Sequence, residues 1–508
     1  MNRKEMQRKI EDLEAKMKEK DERVQFAEAM EKFAKVVQKR TVNNLQKNSS
    51  ATRAASFSTY TKENIIQWLQ NPSANEKNLR NASIYLYLSS MHYQRLINYY
   101  SGLYTWSYVI SPLGFDKTKL AGKKAENFKK QYLKVAHDLE IMNLPETCRT
   151  LMNVALREGA YYGVRISDGT GSFIQRISGD ICKISSMVDG VFLYSVDMSQ
   201  IGKDKLEFYP KVVQDLYAEY EKDKIKWKEI PMDVSVCIKA DPSIIEYSIP
   251  PFGAVMPSLY TIANAISLQE TKDELNNYKM IAGEVPIDNN GKPLIGWDMY
   301  LKYYTQLENA VGDGVGLAIS PFTLKSFDFE QSGSTAEIDN VSRAIDNYWT
   351  TAGTSGLLHG VSNNTSGVTK LAIQNDENYV LGIVQQIERM LNLYLKTHFS
   401  GTNKFKITIL PITIYNRNEF IEMYKGAVAF GLAKSHYAAA LGITQTDVEG
   451  LSYLENDVIQ IDELLKPMVN SHNASSDELS RQGRPESSDD ELSDSGEQTR
   501  DNDSNSNR

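Results

Sequence analysis

PSLYTIANAISLQETKDELNNYKM, residues Pro257–Met280, is the stretch on which the fold turns. Leu259, Ile262, Ala263 and Ile266 recur at helical spacing, so the segment reads as one helix of about 36 Å at 1.5 Å per residue. Its second half, Gln269 to Asn277, is mostly polar. A helix with an apolar half and a wet half does not fit inside one globular core. It is expected to cross from a packed region to a surface or a channel. Pro250-Pro251 and Pro257 mark the boundary before it.

Downstream lies a small α/β insert. Ile281–Ile287, Val315–Ile319 and Leu324–Phe329 read as strands, Asp288-Asn289-Asn290-Gly291 as a turn, and Trp297–Val311 as an amphipathic helix. Ser334-Thr335-Ala336-Glu337 is a capping box that opens a second helix, with Ile338, Val341, Ile345 and Tyr348 on one side. Two mixed-face rods thus bracket a small module. Such rods are stable only when neighbours cover them, and a ring of identical copies supplies neighbours.

The second rod loses its pattern in Gly353–Gly360, and His359–Gly367 is polar, Gly-bounded and uncharged apart from its histidine. A long helix resumes through Val380, Ile383, Val384, Ile387, Leu391, Tyr394 and Leu395, closing with Lys396 and His398. Ile407–Tyr415 reads as a strand whose Pro411 suggests an edge or bulge. Residues 418–467 read as helical, punctuated by Gly431 and Gly442. Thr446-Asp447-Val448-Glu449 forms a second capping box there, and Pro467 ends the region.

Upstream, residues 1–40 are dense in Lys and Glu, with a heptad seam interrupted by Lys20 and Glu31. A solvated helix that folds against a neighbour is preferred there to an autonomous coiled coil. Ser49, Ser50, Ser56 and Ser58 make a polar joint. A short helix follows Thr61, and a second stripe runs from Leu79 to Tyr100, stopping at Gly102. Another helix is expected over 116–142. Asp168-Gly169-Thr170-Gly171 and Asp189-Gly190 each join two alternating segments, which predicts an antiparallel sheet built from hairpins. Residues 206–221 read as helix, then Val234–Lys239 and Ile244–Ser248 as strands.

The 508 residues carry 57 basic and 65 acidic side chains, a formal charge of −8. Residues 471–508 hold ten of the acids against four bases, so the body is near neutral. That tail has no aromatic residue and only Leu479 and Leu492 as large apolar ones, so it is expected to be disordered. The charge argues against a nucleic-acid coat. Met1-Asn2-Arg3-Lys4-Glu5 leads into charged sequence and no apolar run reaches about 18 residues, so a soluble chain made in a cytoplasm is expected.

Catalytic signatures are missing. The Gly-Lys pairs at Gly122, Gly202 and Gly291 continue into Lys, Asp and Pro rather than the Ser or Thr of a phosphate loop. Cys148, Cys182 and Cys237 lack zinc spacing, and the six histidines are scattered. Asp447, Glu449, Glu455 and Asp457 read as a solvated helix face, with no calcium-loop spacing. No enzyme, metal or cofactor is expected.

Several stretches resemble one family, the portal proteins of tailed bacteriophages, in the form found in siphophages of Gram-positive hosts. Leu79-Arg80-Asn81-Ala82-Ser83-Ile84-Tyr85-Leu86-Tyr87 and Tyr93-Gln94-Arg95-Leu96-Ile97-Asn98-Tyr99-Tyr100 resemble the entry helices. Ser366-Gly367-Val368-Thr369-Lys370-Leu371 resembles the tunnel loop leading into the long wing helix. Gly431-Leu432-Ala433-Lys434-Ser435, Leu441-Gly442 and Leu454-Glu455-Asn456-Asp457 resemble the crown, and Gly483-Arg484-Pro485 before an acidic run resembles the tail. Order and spacing together, from about Thr61 to Pro467, carry the specificity.

The resemblance implies an α+β, mainly α fold: two long stem helices, a small α/β clip, a wing with an antiparallel sheet and a helical crown. It divides the chain into a charged extension (1–50), N-terminal helices and wing (51–256), stem helix 1 (257–280), clip (281–333) and stem helix 2 (334–357). The tunnel loop (358–368), wing helix and strand (369–415), crown (416–470) and acidic tail (471–508) follow. It further implies a dodecameric ring around double-stranded DNA at the capsid's portal vertex. The implied partners are the terminase large subunit, a head-completion or adaptor protein, and the major capsid and scaffolding proteins, with no membrane. Ser362, Asn363, Asn364 and Thr365, with Lys370 nearby, are the candidate DNA-touching residues; a plain surface loop is the competing reading. A lining rich in fixed bases would hold DNA through counterion release, whereas a polar uncharged loop lets it slide. The alternative function is a helical scaffold or adaptor of the virion or host without a channel. A terminase or nuclease is disfavoured by the missing phosphate loop and metal clusters.

Overall fold

The computed structural model describes residues 60–114, 122–167, 171–277, 279–284, 315–320, 340–354, 366–399 and 404–461, together with Met17, Val24 and Gln306. Over 271–277, 279–284, 315–320 and 366–368 the description is of the backbone alone. The expected charged extension and acidic tail lie outside it, apart from Met17 and Val24, which are helical and exposed. The fold is α+β and mainly helical. One compact unit runs to Gln445 and a second begins at Thr446.

Helix α1 (Lys62–Gln70) starts on Thr61, whose hydroxyl accepts the amide of Asn64 at 3.2 Å. The stripe expected to run unbroken from Leu79 to Tyr100 divides at Ser90, an extended residue (φ −123°), into α2 (Glu76–Ser89) and α3 (Met91–Ser101). Strand β1 (Tyr108–Leu113) follows, and then α4 (Lys123–Ile141), the helix expected over 116–142. Helix α5 (Leu144–Glu158) was not legible in the sequence: it begins after a left-handed Asn143 and ends at Gly159. Gly159 has φ +89°, and a Cβ there would meet the backbone of Ile249 at 2.5 Å, so glycine is required.

The expected hairpins form as β2 (Ala160–Ser167) with β3 (Ser172–Arg176), and β4 (Cys182–Val188) with β5 (Val191–Asp197). Asp189 (φ +51°) and Gly190 (φ +77°) both take the left-handed conformation that a two-residue hairpin turn demands. The hairpins do not share one sheet, as expected, but contribute to two. Helix α6 (Lys211–Asp223), β6 (Trp227–Glu229) and β7 (Ser235–Lys239) complete this region, giving antiparallel sheets ordered β3-β2-β7 and β4-β5-β6. The expected helix over 206–221 is delayed by Pro210, with a 3-10 segment (Lys203–Phe208) before it. Ile244–Ser248 is not a strand: Asp241 closes a turn on the amide of Ser243, and the carbonyl of Tyr247 accepts from Lys239 Nζ at 2.7 Å.

Helix α7 (Met256–Asn277), β8 (Lys279–Glu284), β9 (Val315–Ser320) and α8 (Asn340–Ala352) span the rods and insert. Helix α9 (Ser366–His398) is the longest among the described residues, about 50 Å for 33 residues. Strand β10 (Lys404–Ile409) stops before Pro411 instead of reaching Tyr415, and pairs with β1, Tyr108 opposite Ile409 and Leu113 opposite Lys404. Helices α10 (Arg417–Ala429), α11 (Lys434–Leu441) and α12 (Gln445–Tyr453) follow, with a π-helical turn at Leu454–Ile459. Because α12 begins at Gln445, Thr446 sits within its first turn, so the expected capping box at Thr446 is out of register.

One large core joins α2–α5 to the first half of α7, the end of α8 and the middle of α9, with Leu86, Leu96, Leu139, Tyr348 and Ile387 fully buried. A second core fills the space between the two three-stranded sheets and α6, around Tyr162, Tyr194 and Val213. Tyr194 donates to the carbonyl of Gly163 at 2.8 Å and so ties one sheet to the other. A third, smaller core packs Val109, Leu410 and Ile412 against Ala439 and Ala440 of α11.

Candidate functional site

The two rods leave the large core together. In α7, Met256, Leu259, Tyr260 and Ile262 are buried, while every residue from Ile266 to Glu270 is exposed. Leu268 stands 71 % open and Ile266 40 %. Helix α8, which packs against α7, shows the reverse order: Asn340, Ser342 and Arg343 are exposed, and Ala344, Tyr348 and Trp349 buried. Burial therefore sits at the start of one rod and the end of the other, where each joins the body. Tyr348 and Trp349 meet edge to face at 4.9 Å, with the ring of His92 from α3 at 6.0 and 6.3 Å. Burial, aided by the nearby Arg95, holds the His92 imidazole below its ordinary pKa. Helix α8 stops at Ala352, because Gly353 turns with φ +72°; the rod expected over 334–357 is shorter at this end.

Between the rods, β8 and β9 pair in parallel, Lys279 opposite Val315 and Glu284 opposite Ser320. Parallel pairing needs a long crossover. The chain between them supplies one, and Gln306, the residue of it that is described, is helical. The expected strand at Leu324–Phe329 and the capping box at Ser334–Glu337 lie outside the described residues.

At the base of the rods an aromatic cluster joins α7 to α9. Phe252, just before α7, stacks on Tyr100 of α3 at 5.1 Å, and Tyr379 of α9 lies 5.4 Å from Tyr100 and 5.9 Å from Phe252. Next to it Asp376, 1 % exposed, accepts hydrogen bonds from the hydroxyls of Tyr99 at 2.8 Å and Tyr100 at 3.2 Å. Burial pushes this carboxyl above the ordinary aspartate range, and the two tyrosine donors pull the other way without cancelling it. Glu377 continues the contact. Its carbonyl accepts from Tyr104 at 3.2 Å, and its carboxylate accepts from Thr413 and, at 3.5 Å, Asn416. Burial raises the Tyr104 phenol to about 12.

Ser362, Asn363, Asn364 and Thr365 lie outside the described residues. Lys370 is on the second turn of α9, and its Nζ pairs with Glu419 in the first turn of α10 at 2.6 Å. Both side chains are more than half exposed, so the pair is worth about 1 kcal/mol at most. Sequence reading missed Glu419, Asp376 and the two tyrosines that hold it. The signal was slight: Gln374-Asn375-Asp376-Glu377-Asn378 interrupts the apolar pattern of α9 with five polar residues, which reads as a solvated turn. Cys148, Cys182 and Cys237 are free and buried, in line with the expectation of inert small hydrophobes. Among the described residues no group of three or more His, Cys, Asp or Glu could hold a metal, and no helix is long and apolar enough to cross a membrane.

No protein-family model matches the chain, and no curated protein does. Chains of gene transfer agent particles are partly alike in structure. One from the virion of the native particle has a TM-score of 0.41 at 12 % identity, over 73 % of this chain and 93 % of its own. One from the neck of the native particle, computed with C12 symmetry, has 0.40 at 14 % identity, over 73 % and 93 %. Another, from the neck of the empty particle computed with C6 symmetry, has 0.40 at 14 % identity, over 73 % and 94 %. Likeness at this level assigns no function.

Proposed function

We propose that this chain is a portal protein, one subunit of a ring that surrounds double-stranded DNA at a vertex of a tailed-phage capsid. One observation carries the reading: among the residues of α7 and α8 whose side chains are described, burial is confined to where the helices join the body, and the two helices bracket a small parallel insert. In this reading they are the stem helices. The insert is the clip, which contacts a head-completion or adaptor protein, and the wing lies on either side. Residues 416–470 form the crown. The ring supplies cover for exposed stem residues such as Ile266 and Leu268.

The polar, uncharged residues Ser362, Asn363, Asn364 and Thr365 line the channel and touch DNA transiently, so that it slides during packaging and ejection. Lys370 follows them in the chain, its charge countered by Glu419. The ring works in the host cytoplasm during assembly, with the terminase large subunit and the capsid and scaffolding proteins, and afterwards in the virion. Negative-stain images of the purified chain test the proposal: rings with a central hole are expected. Monomers or dimers at high concentration would favour a scaffold or adaptor without a channel.

A further inference from the structure

A groove of about 460 Å³ runs between the last turns of α9 and strand β10 and reaches Leu113 at the end of β1. Its rim carries Arg389, Lys396, Lys404 and Lys406, all exposed, in a chain whose formal charge is −8. Asp189, on the β4–β5 turn, is the one acid among the lining residues, and it pairs with Lys396 at 2.6 Å. Arg389, Lys404 and Lys406 form no ion pair with another described residue. Such a concentration of positive charge, without a counter-charge among the described residues at three of its four positions, attracts an anionic partner.

Two further observations narrow the class. First, β10 is closed to an added strand. Asn392 of α9 donates to the carbonyl of Ile407 at 2.9 Å and accepts its amide at 3.0 Å, and Glu388 accepts the amide of Ile409 at 2.8 Å. With those edge groups occupied, an incoming chain is held by its side chains and not by a backbone ladder. Second, the floor is apolar: Phe405 and Leu395 are buried, Phe399 is half-buried, and Leu113 at the mouth is 49 % exposed. A phosphate backbone has nothing to place on such a floor. An acidic peptide with one large aliphatic or aromatic side chain fills both floor and rim.

We infer that this groove binds an acidic polypeptide segment of a partner protein, carboxylates on the lysine rim and one apolar side chain on the Phe399–Phe405 floor. The inference stands apart from the ring reading, since it rests on the groove between α9 and β10 within one chain.

The test is fluorescence anisotropy on the purified full chain, with a labelled peptide of aspartates and glutamates flanking one leucine, and a duplex DNA of about 20 base pairs as the second probe. The peptide is expected to bind saturably and more weakly as salt rises, and at least about tenfold more weakly to K404E/K406E. These lysines alternate with buried Phe405 and Ile407 and leave the core intact, which an unchanged melting temperature would confirm. L113S, which keeps every charge, is expected to weaken the peptide several-fold. Undiminished peptide binding by K404E/K406E overturns the inference, and so does DNA binding as tight as the peptide's. A changed particle mass in K404E/K406E would make a second copy the occupant and would overturn it as well.

Discussion

Replacing Leu268 by aspartate probes the stem directly. Fully burying a leucine is worth about 1.5–3 kcal/mol, and Leu268 is 71 % open in the single chain, so a covering neighbour gains about 1–2 kcal/mol from it. Aspartate forfeits that gain and leaves a charge without a partner in a covered contact, about 3 kcal/mol more. Each contact between subunits should weaken by about 4–5 kcal/mol, on the order of a thousandfold. Within one subunit Leu268 packs against little, so the variant should melt within about 0.5 kcal/mol of the parent. Sedimentation velocity beside negative-stain imaging, at matched concentrations, reads both effects, and L268A should fall between the two proteins. Rings of L268D as abundant as those of the parent would refute the reasoning. So would a large loss of stability in the variant, because Leu268 would then belong to the subunit's own core.

Asp376 gives a prediction with a sign. Its folded pKa is raised, so the stability tied to its proton is fully present below the ordinary aspartate pKa of about 3.9 and is lost as pH rises through the folded value. D376N should therefore flatten the pH dependence of urea unfolding above about pH 4. D376A removes the acceptor of the Tyr99 and Tyr100 hydroxyls and should cost about 1–3 kcal/mol at the buried Tyr100; equal slopes for parent and D376N would sink the assignment. The cysteines give another. Burial lifts the Cys237 thiol to about 12 and those of Cys148 and Cys182 higher than usual, so an aromatic disulfide reagent should modify none of them in the native chain and all three in denaturant. Rapid native labelling would contradict the buried placement.

What the sequence disclosed was local. The Asp189-Gly190 turn, the wet second half of α7 and the stripe of α9 each state their structure within a few residues, because turn chemistry and helical periodicity act at short range. Strand β1 was missed because its partner, β10, lies almost 300 residues away and because Pro112 argues against a strand. The pairing resolves that objection. Ile407 and Ile409 turn their amides away from β1 toward Asn392 and Glu388, and Phe405, opposite Pro112, has the same parity. At that position β1 has no amide to offer and none is needed. The single sheet expected from two hairpins became two for a similar reason. Alternation fixes which face of a hairpin is apolar, but which long-range strand completes the sheet, β7 or β6, is decided by packing around Tyr162 and Tyr194. The candidate site divides along the same line: the two helices and the first two strands between them were legible, while the buried anchor at Asp376 depends on tyrosines from another helix.

That anchor bears on how the rods and the long helix move. Phe252 leads into α7, Tyr100 stacks on it, and Tyr379 of α9 touches both, so the seat of the rods and the start of α9 share one packed cluster. The hydroxyl of the same Tyr100 reaches the carboxyl of Asp376, one turn of α9 earlier. Close-packed interiors do not deform smoothly; they hold one arrangement or change to another. A tilt of α7 large enough to part Phe252 from Tyr100 must repack Tyr379 and unseat a buried carboxyl that has two donors and little access to water. The ion pair of Lys370 with Glu419, on the exposed side of α9, resists such a change by about 1 kcal/mol at most, whereas the two tyrosine contacts with a buried acceptor resist it by several times that. Resistance to tilting therefore resides in Tyr99, Tyr100 and Asp376, and a D376A subunit should keep its rods while losing their fixed angle to α9.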